Sequence, residues 1–202
     1  MSIFYLNGDF IEDSLPAISH HDCGFTTGIG IFDSLLIKDK ILIHGKDHFD
    51  RIQNDSQVVI GQKLNWHYVD FEEICQEIIK KNNLTSEYIR IRTTTTGGPV
   101  SDPLSKPSQL TCLIEAKEIS APQNLSSISC AIITDYPRIA DCVLENSKRL
   151  DYSRSFAARH KAQNLGADDA LLTNTNGTIA CGTTSNIFIE ENGVLITPPL
   201  TD

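Results

Sequence analysis

The sequence predicts an α+β fold of mixed α/β layers, divided into two domains. Three observations carry this. β-Branched alternating runs such as Tyr88–Thr96 stand beside segments of helical period such as Asp70–Lys81. The two kinds of segment are interleaved without strict βαβ alternation, as expected of mixed layers. A polar, aperiodic stretch, EISAPQNLS at 118–126, interrupts the pattern past mid-chain and reads as a linker. The expected division is a smaller domain over 1–117, the linker over 118–126 and a second domain over 127–202. A chain of 202 residues is long enough for this, and 40% apolar content is ample for a core.

Taken in order, Ile3–Leu6 and Phe10–Ile11 flank Asn7-Gly8, the residue pair best suited to a two-residue hairpin turn. Asp22–Gly30, DCGFTTGIG, is glycine-rich and predicts a tight loop or bulge. Ile31–Ile37 and Ile41–His44 form a second hairpin around Lys38-Asp39-Lys40. A helix is expected over Asp47–Gln57. A stronger one covers Asp70–Lys81, where Phe71, Ile74, Cys75, Ile78 and Ile79 recur at i, i+3, i+4, i+7 and i+8. Tyr88–Thr96, Leu110–Ala116 and Ile128–Thr134 read as strands. A helix from Tyr152 to Leu165 stops at Gly166, and strand Asp169–Thr173 meets a turn at Asn176-Gly177. A last hairpin runs from Asn186 to Thr197.

Composition narrows the function. With 17 basic and 26 acidic residues the net charge is −9, which argues against a nucleic-acid partner. No apolar run approaches the roughly 18–20 residues of a membrane span. The first ten residues carry no basic region or long apolar core of a signal peptide. Six dispersed cysteines without a C-x-x-C pair, and six histidines without ligand spacing, indicate reduced thiols in a cytoplasmic protein and no metal site.

Three features bear on chemistry. Lys148 precedes a helix, next to Arg149. A nucleophilic lysine must lose its proton near neutral pH, which burial or a neighbouring cation promotes. Gly182-Thr183-Thr184 is a small, hydroxyl-rich turn whose N–H and O–H groups suit a phosphate, although such strings commonly just make turns. Arg51 supplies a guanidinium able to pair a phosphate through two bonds.

These pieces occur in a recognisable order. The sequence resembles the pyridoxal-phosphate enzymes of fold type IV, the class IV aminotransferase family, along essentially its whole length. The matching blocks are the Asn-Gly hairpin at Leu6–Ile11, D-x-G-F-x-x-G-x-G-x-F-D at Asp22–Asp33, and H-x-x-R-I at His48–Ile52. They continue with K-x-L-D-Y at Lys148–Tyr152, G-x-D-D-A-L-L at Gly166–Leu172, and the segment Gly177–Phe188 that ends in T-T-S-N-I-F. The resemblance implies pyridoxal 5′-phosphate as cofactor, bound in the cleft between the domains, and a homodimer. It makes Lys148 the Schiff-base lysine and proton shuttle, and Arg51 a phosphate ligand. Thr183 and Thr184, after Gly182, become contacts to phosphate or substrate carboxylate.

The departures are informative. Where the family carries a glutamate that holds a proton on the pyridine nitrogen, this chain has Cys181, a weak hydrogen-bond partner without charge. The cofactor would then be a poorer electron sink. Gly98-Pro99-Val100-Ser101-Asp102 lacks the arginine and histidine of D-amino acid aminotransferases, and the compact start differs from branched-chain enzymes. The expectation is therefore a lyase that converts 4-amino-4-deoxychorismate to 4-aminobenzoate and pyruvate, in folate biosynthesis. The alternatives are an aminotransferase for branched-chain or other amino acids, and a catalytically degenerate dimeric binding protein. The resemblance also implies a further C-terminal segment after Thr197-Pro198-Pro199, so the second domain is expected to be incomplete.

Overall fold

The computed structural model describes residues 2–15, 17–102, 104–121 and 127–199. It resolves into two compact units, Met1–Gln123 with Ser147–Leu150, and Asn124–Asn146 with Asp151–Asp202. Of the expected linker, residues 122–126 lie outside the described residues, while Glu118 closes a strand. The stretch around Lys148 packs with the first unit, although it follows that linker in sequence.

The first unit is a six-stranded antiparallel sheet in the order β2-β1-β6-β5-β3-β4, with two long helices packed on it. Strands β1 (Ile3–Leu6) and β2 (Asp9–Glu12) form the Asn-Gly hairpin, with both turn residues at positive φ. Helix α1 (Cys23–Thr27) replaces the loop expected over Asp22–Gly30. Asp22 caps it by accepting the Gly24 N–H at 2.8 Å, and Gly28 ends it at φ 72. The same aspartate and glycine that read as a loop are the start and stop of one helical turn.

Strand β3 (Gly30–Lys38) turns through Asp39 and Lys40, both at positive φ, into the two-residue β4 (Ile41–Leu42). The strand expected through His44 ends early because Gly45 already begins α2 (Gly45–Val59). Helix α3 (Tyr68–Lys81) starts where Asp70 accepts the His67 N–H at 2.7 Å. Strands β5 (Tyr88–Thr96) and β6 (Thr111–Glu118) complete the sheet. Alternation places Ile31, Leu35, Ile37, Ile89, Ile91 and Ile114 towards the helices. There they meet Phe49 and Ile52 of α2 and Phe71, Cys75 and Ile78 of α3.

Because β4 pairs only with Ile37 and Lys38, the first half of β3 keeps a free edge. Lys148–Leu150 occupies it as an antiparallel pair. The Phe32 N–H donates to the Lys148 carbonyl at 2.9 Å, and the Leu150 N–H to the Gly30 carbonyl at 2.9 Å. Ile31 and Arg149 face each other between these bonds.

The second unit holds a three-stranded sheet, β7-β8-β9. Strand β7 (Cys130–Arg138) is parallel to β8 (Asp169–Asn174), and α4 (Ser153–Asn164) connects them, giving one βαβ crossover despite the mixed pattern of the chain. Strand β7 runs four residues beyond its expected end at Thr134. A register shift between Ile133 and Arg138 accommodates Pro137, which has no N–H to give the ladder. The fully buried Ala158 and Ala162 let α4 lie close on Ile133, Ala170 and Leu172. Two elements have no counterpart in the sequence reading: the 3-10 turn Val143–Asn146 and β9 (Ile179–Gly182), antiparallel to β8. The final hairpin, β10 (Ile189–Glu191) and β11 (Val194–Ile196), turns on Asn192 and Gly193.

Candidate active site

Lys148 is held by its backbone and free at its tip. Its N–H donates to Asp55 Oδ2 at 2.9 Å and its carbonyl accepts from Phe32, so both main-chain groups are committed to the first unit. Edge pairing puts the lysine on the same face of the strand as Phe32, and Nζ lies 5.0 Å from the centre of that ring. The Arg92 guanidinium lies 4.4 Å from the same centre. Among the described residues no carboxylate stands within ion-pair distance of Nζ. An amine without a counter-ion, on a fixed stretch of chain, suits covalent attachment to a carbonyl.

Arg51 comes from α2 in the same unit. Its Nε and Nη2 each donate at 2.8 Å to the two oxygens of Asp33, a two-bond pair. Asp33 is 1% exposed and also accepts from the Ser34 N–H at 2.6 Å, with His48 Nδ1 at 3.1 Å. Hydrogen bonding to Asp33 raises the pKa of Arg51 further, so its charge is permanent. The Arg51 side chain remains 43% exposed. Asp33 therefore fixes one edge of the guanidinium, and among the described residues Nη1 makes no hydrogen bond. One turn further along α2, Asp55 is buried. Burial raises its pKa, an effect opposed by the Lys148 N–H, the Arg51 charge and the Ser147 side chain.

The remaining predicted residues belong to the second unit. Cys181 lies in β9 opposite Leu172. Burial raises the pKa of its thiol, with Arg138 and Arg154 pulling it down and Glu145 pushing it up. These three form a charge cluster around the buried Glu145, which pairs with Arg138 Nε at 2.8 Å and with Arg154 Nη1 at 2.6 Å. Gly182 closes the turn by donating its N–H to the Ser185 carbonyl at 2.8 Å. The Thr183 hydroxyl is committed, donating to Asp169 Oδ1 at 2.6 Å inside the unit. Thr184 is exposed, and among the described residues the N–H groups of Thr183 and Thr184 have no protein acceptor.

Each unit by itself carries groups that suit a phosphorylated carbonyl cofactor. The first has a lysine without a carboxylate partner among the described residues and a guanidinium held by Asp33, and the second a turn whose Thr183 and Thr184 N–H groups have no protein acceptor among the described residues. The second departs at Cys181, which supplies no negative charge. Lys148 and Arg51 are brought together on the first unit, while Cys181, Gly182, Thr183 and Thr184 are brought together on the second. Sequence reasoning missed Asp33 and Asp55 as supports and Glu145, Arg138 and Arg154 as neighbours of Cys181. Asp33 had a signal, since it alternates with Ile31 and Leu35 on the buried face. The cluster around Cys181 had none, being assembled from three separate elements.

Comparison with known proteins identifies the family of the chain. The profile of the family described as amino-transferase class IV matches residues 30–202. A provisionally described branched-chain-amino-acid aminotransferase of Methanocaldococcus jannaschii is 30% identical, over 97% of this chain and 68% of its own length. The branched-chain amino acid aminotransferase of T.th., solved with pyridoxamine 5′-phosphate, superposes with TM-score 0.84 at 21% identity, covering 99% of this chain and 68% of that one. A provisionally described 4-amino-4-deoxychorismate lyase of Legionella pneumophila superposes with TM-score 0.81 at 25% identity, covering 94% and 69%. The chain thus spans about two thirds of each relative's length. With family profile and fold in agreement, this chain belongs to the class IV aminotransferases, the pyridoxal-phosphate enzymes of fold type IV.

Proposed function

We propose that the protein acts on small amino-acid substrates, that Lys148 is the residue that carries the cofactor, and that amino-group transfer is its reaction. The observation that carries this reading is the state of Lys148, fixed through both main-chain groups and, among the described residues, without a carboxylate partner at Nζ. When bound, pyridoxal phosphate withdraws electrons from the substrate α-carbon and so makes its proton removable. The protein's part is to hold groups in place and move that proton. Lys148 Nζ takes the proton and returns it, as a general base and then a general acid. Arg51, steadied by Asp33, offers its free Nη1 to the phosphate. The Thr183 and Thr184 N–H groups receive phosphate or carboxylate oxygens, and the Thr183 hydroxyl holds the turn to Asp169. The family resemblance assigns Cys181 to the position of the pyridine-nitrogen partner. The 30% identical relative supports amino transfer.

A second reading is the 4-amino-4-deoxychorismate lyase. Cys181 favours it, because forming an aromatic product assists elimination and lessens the demand on the ring. The Legionella neighbour supports it too. The two separate in one assay: transfer consumes 2-oxoglutarate, whereas elimination releases pyruvate without it. Pyruvate and 4-aminobenzoate formed with no 2-oxo acid present would refute the first reading. Family resemblance further supports a cytoplasmic protein that forms a homodimer, and sedimentation equilibrium tests the dimer.

A further inference from the structure

Asp55 is a buried acid that the proposed chemistry does not use. It sits on α2 one turn after Arg51 and is 8% exposed. Two of its contacts go to one place. Oδ2 accepts the Lys148 N–H at 2.9 Å, and the Ser147 side chain also hydrogen-bonds the carboxylate. Burial raises its pKa, and the Lys148 N–H and the Arg51 charge oppose that shift. The rest of the hold on this stretch comes from β3, through the bonds at Phe32 and Gly30. Those two bonds pair the strand edge but do not engage the Lys148 N–H, which is left to Asp55.

We propose that Asp55 is a positioning residue for Lys148, its carboxylate locking residues 147–148 onto α2 and thereby fixing where the amine is presented. This rests on the reading of Lys148 as the cofactor lysine. It also ties that lysine to the helix that carries Arg51, so cofactor attachment and phosphate binding share one rigid support. The acceptor oxygen performs this task rather than the charge, because the group it serves is a neutral amide.

The test compares Asp55→Leu, which removes the acceptor, with Asp55→Asn, which keeps one. Amide hydrogen exchange at Lys148 is read without cofactor. Separately, the pyridoxal phosphate concentration that half-saturates borohydride-trapped labelling of the Lys148 peptide is measured, with Trp66 fluorescence melting as the folding control. The expected result for Asp55→Leu is exchange faster by about tenfold, the scale of one hydrogen bond, and a similar rise in half-saturating cofactor. Asp55→Asn stays within about threefold of the parent. If Asp55→Leu does not fold, Asp55→Ser, whose hydroxyl stops short of the Lys148 N–H, takes its place with the same expectation. Parent-like exchange and labelling in Asp55→Leu overturns the proposal, as does Asp55→Asn losing as much as Asp55→Leu. A parent that never labels at Lys148 refutes the cofactor lysine instead, and exchange measured without cofactor tells the two failures apart.

Discussion

Replacing Arg51 by methionine tests the support of the phosphate-binding guanidinium by its energy. The side chain is of similar length, so the change removes charge and donors more than volume. Asp33 would keep the Ser34 N–H and His48 but lose both guanidinium bonds while 1% exposed. Breaking a buried ion pair from one side costs about 3–5 kcal/mol. Arg51 is 43% exposed, so water screens its half and the expected loss falls to about 2 kcal/mol. The one tryptophan, Trp66, lies in the same unit with its ring 5.7 Å from that of Tyr5, and its fluorescence reports unfolding there. With a urea slope of about 2 kcal/mol/M, the midpoint falls by about 1 M. The double change Asp33→Asn with Arg51→Met removes the stranded charge and recovers about half of that loss or more. An unchanged midpoint in Arg51→Met, or a double change whose losses simply add, would refute the claim that Asp33 holds the guanidinium.

Four further outcomes follow from the same contacts. A Cβ at Gly30 would meet Leu150 Cδ1 at 2.6 Å and the Thr95 carbonyl at 2.8 Å, so Gly30→Ala should cost about 1–3 kcal/mol and speed amide exchange at Leu150. Thr183→Val removes the hydroxyl that donates to Asp169 and should cost about 1.5–3 kcal/mol in thermal unfolding of the second unit, seen by circular dichroism. Burial pushes the Cys75 and Cys112 thiols up to about 12 and about 11, so at pH 8 iodoacetamide should modify exposed Cys130 first and those two only on unfolding, as peptide mass spectrometry reads. If the ring partner limits turnover, Cys181→Glu should raise the rate, with Arg138 and Arg154 at hand to balance the new charge. No gain in any assay would count against a limiting ring partner.

Much of the fold was legible because its signals are local. The 3.6-residue period of α3 and the alternation of β5 each bury one face, and burial is what fixes register. The failures share a cause as well. In α1, a capping aspartate and a left-handed glycine are common to helix ends and loops, and backbone bonds such as Thr26 N–H to the Asp22 carbonyl distinguish them. β9 is four residues of small and mixed side chains, a strand only because β8 offers an edge. At the site, block order singled out Lys148, Arg51 and the Gly182 turn. Their supports depend on tertiary contacts, since Asp55 reaches Lys148 across 93 residues of sequence. The βαβ crossover was hidden because Lys148–Leu150 leaves the second unit's chain to pair with β3 and returns before α4.

The visible absorption spectrum of the purified chain titrated with pyridoxal phosphate, beside Lys148→Ala, is the most direct test of the central claim. A yellow band that saturates in the parent, is erased by the substitution and persists as a mass label on the Lys148 peptide after borohydride reduction is the predicted result. A band of equal strength in Lys148→Ala, or none in the parent at excess cofactor, would contradict it.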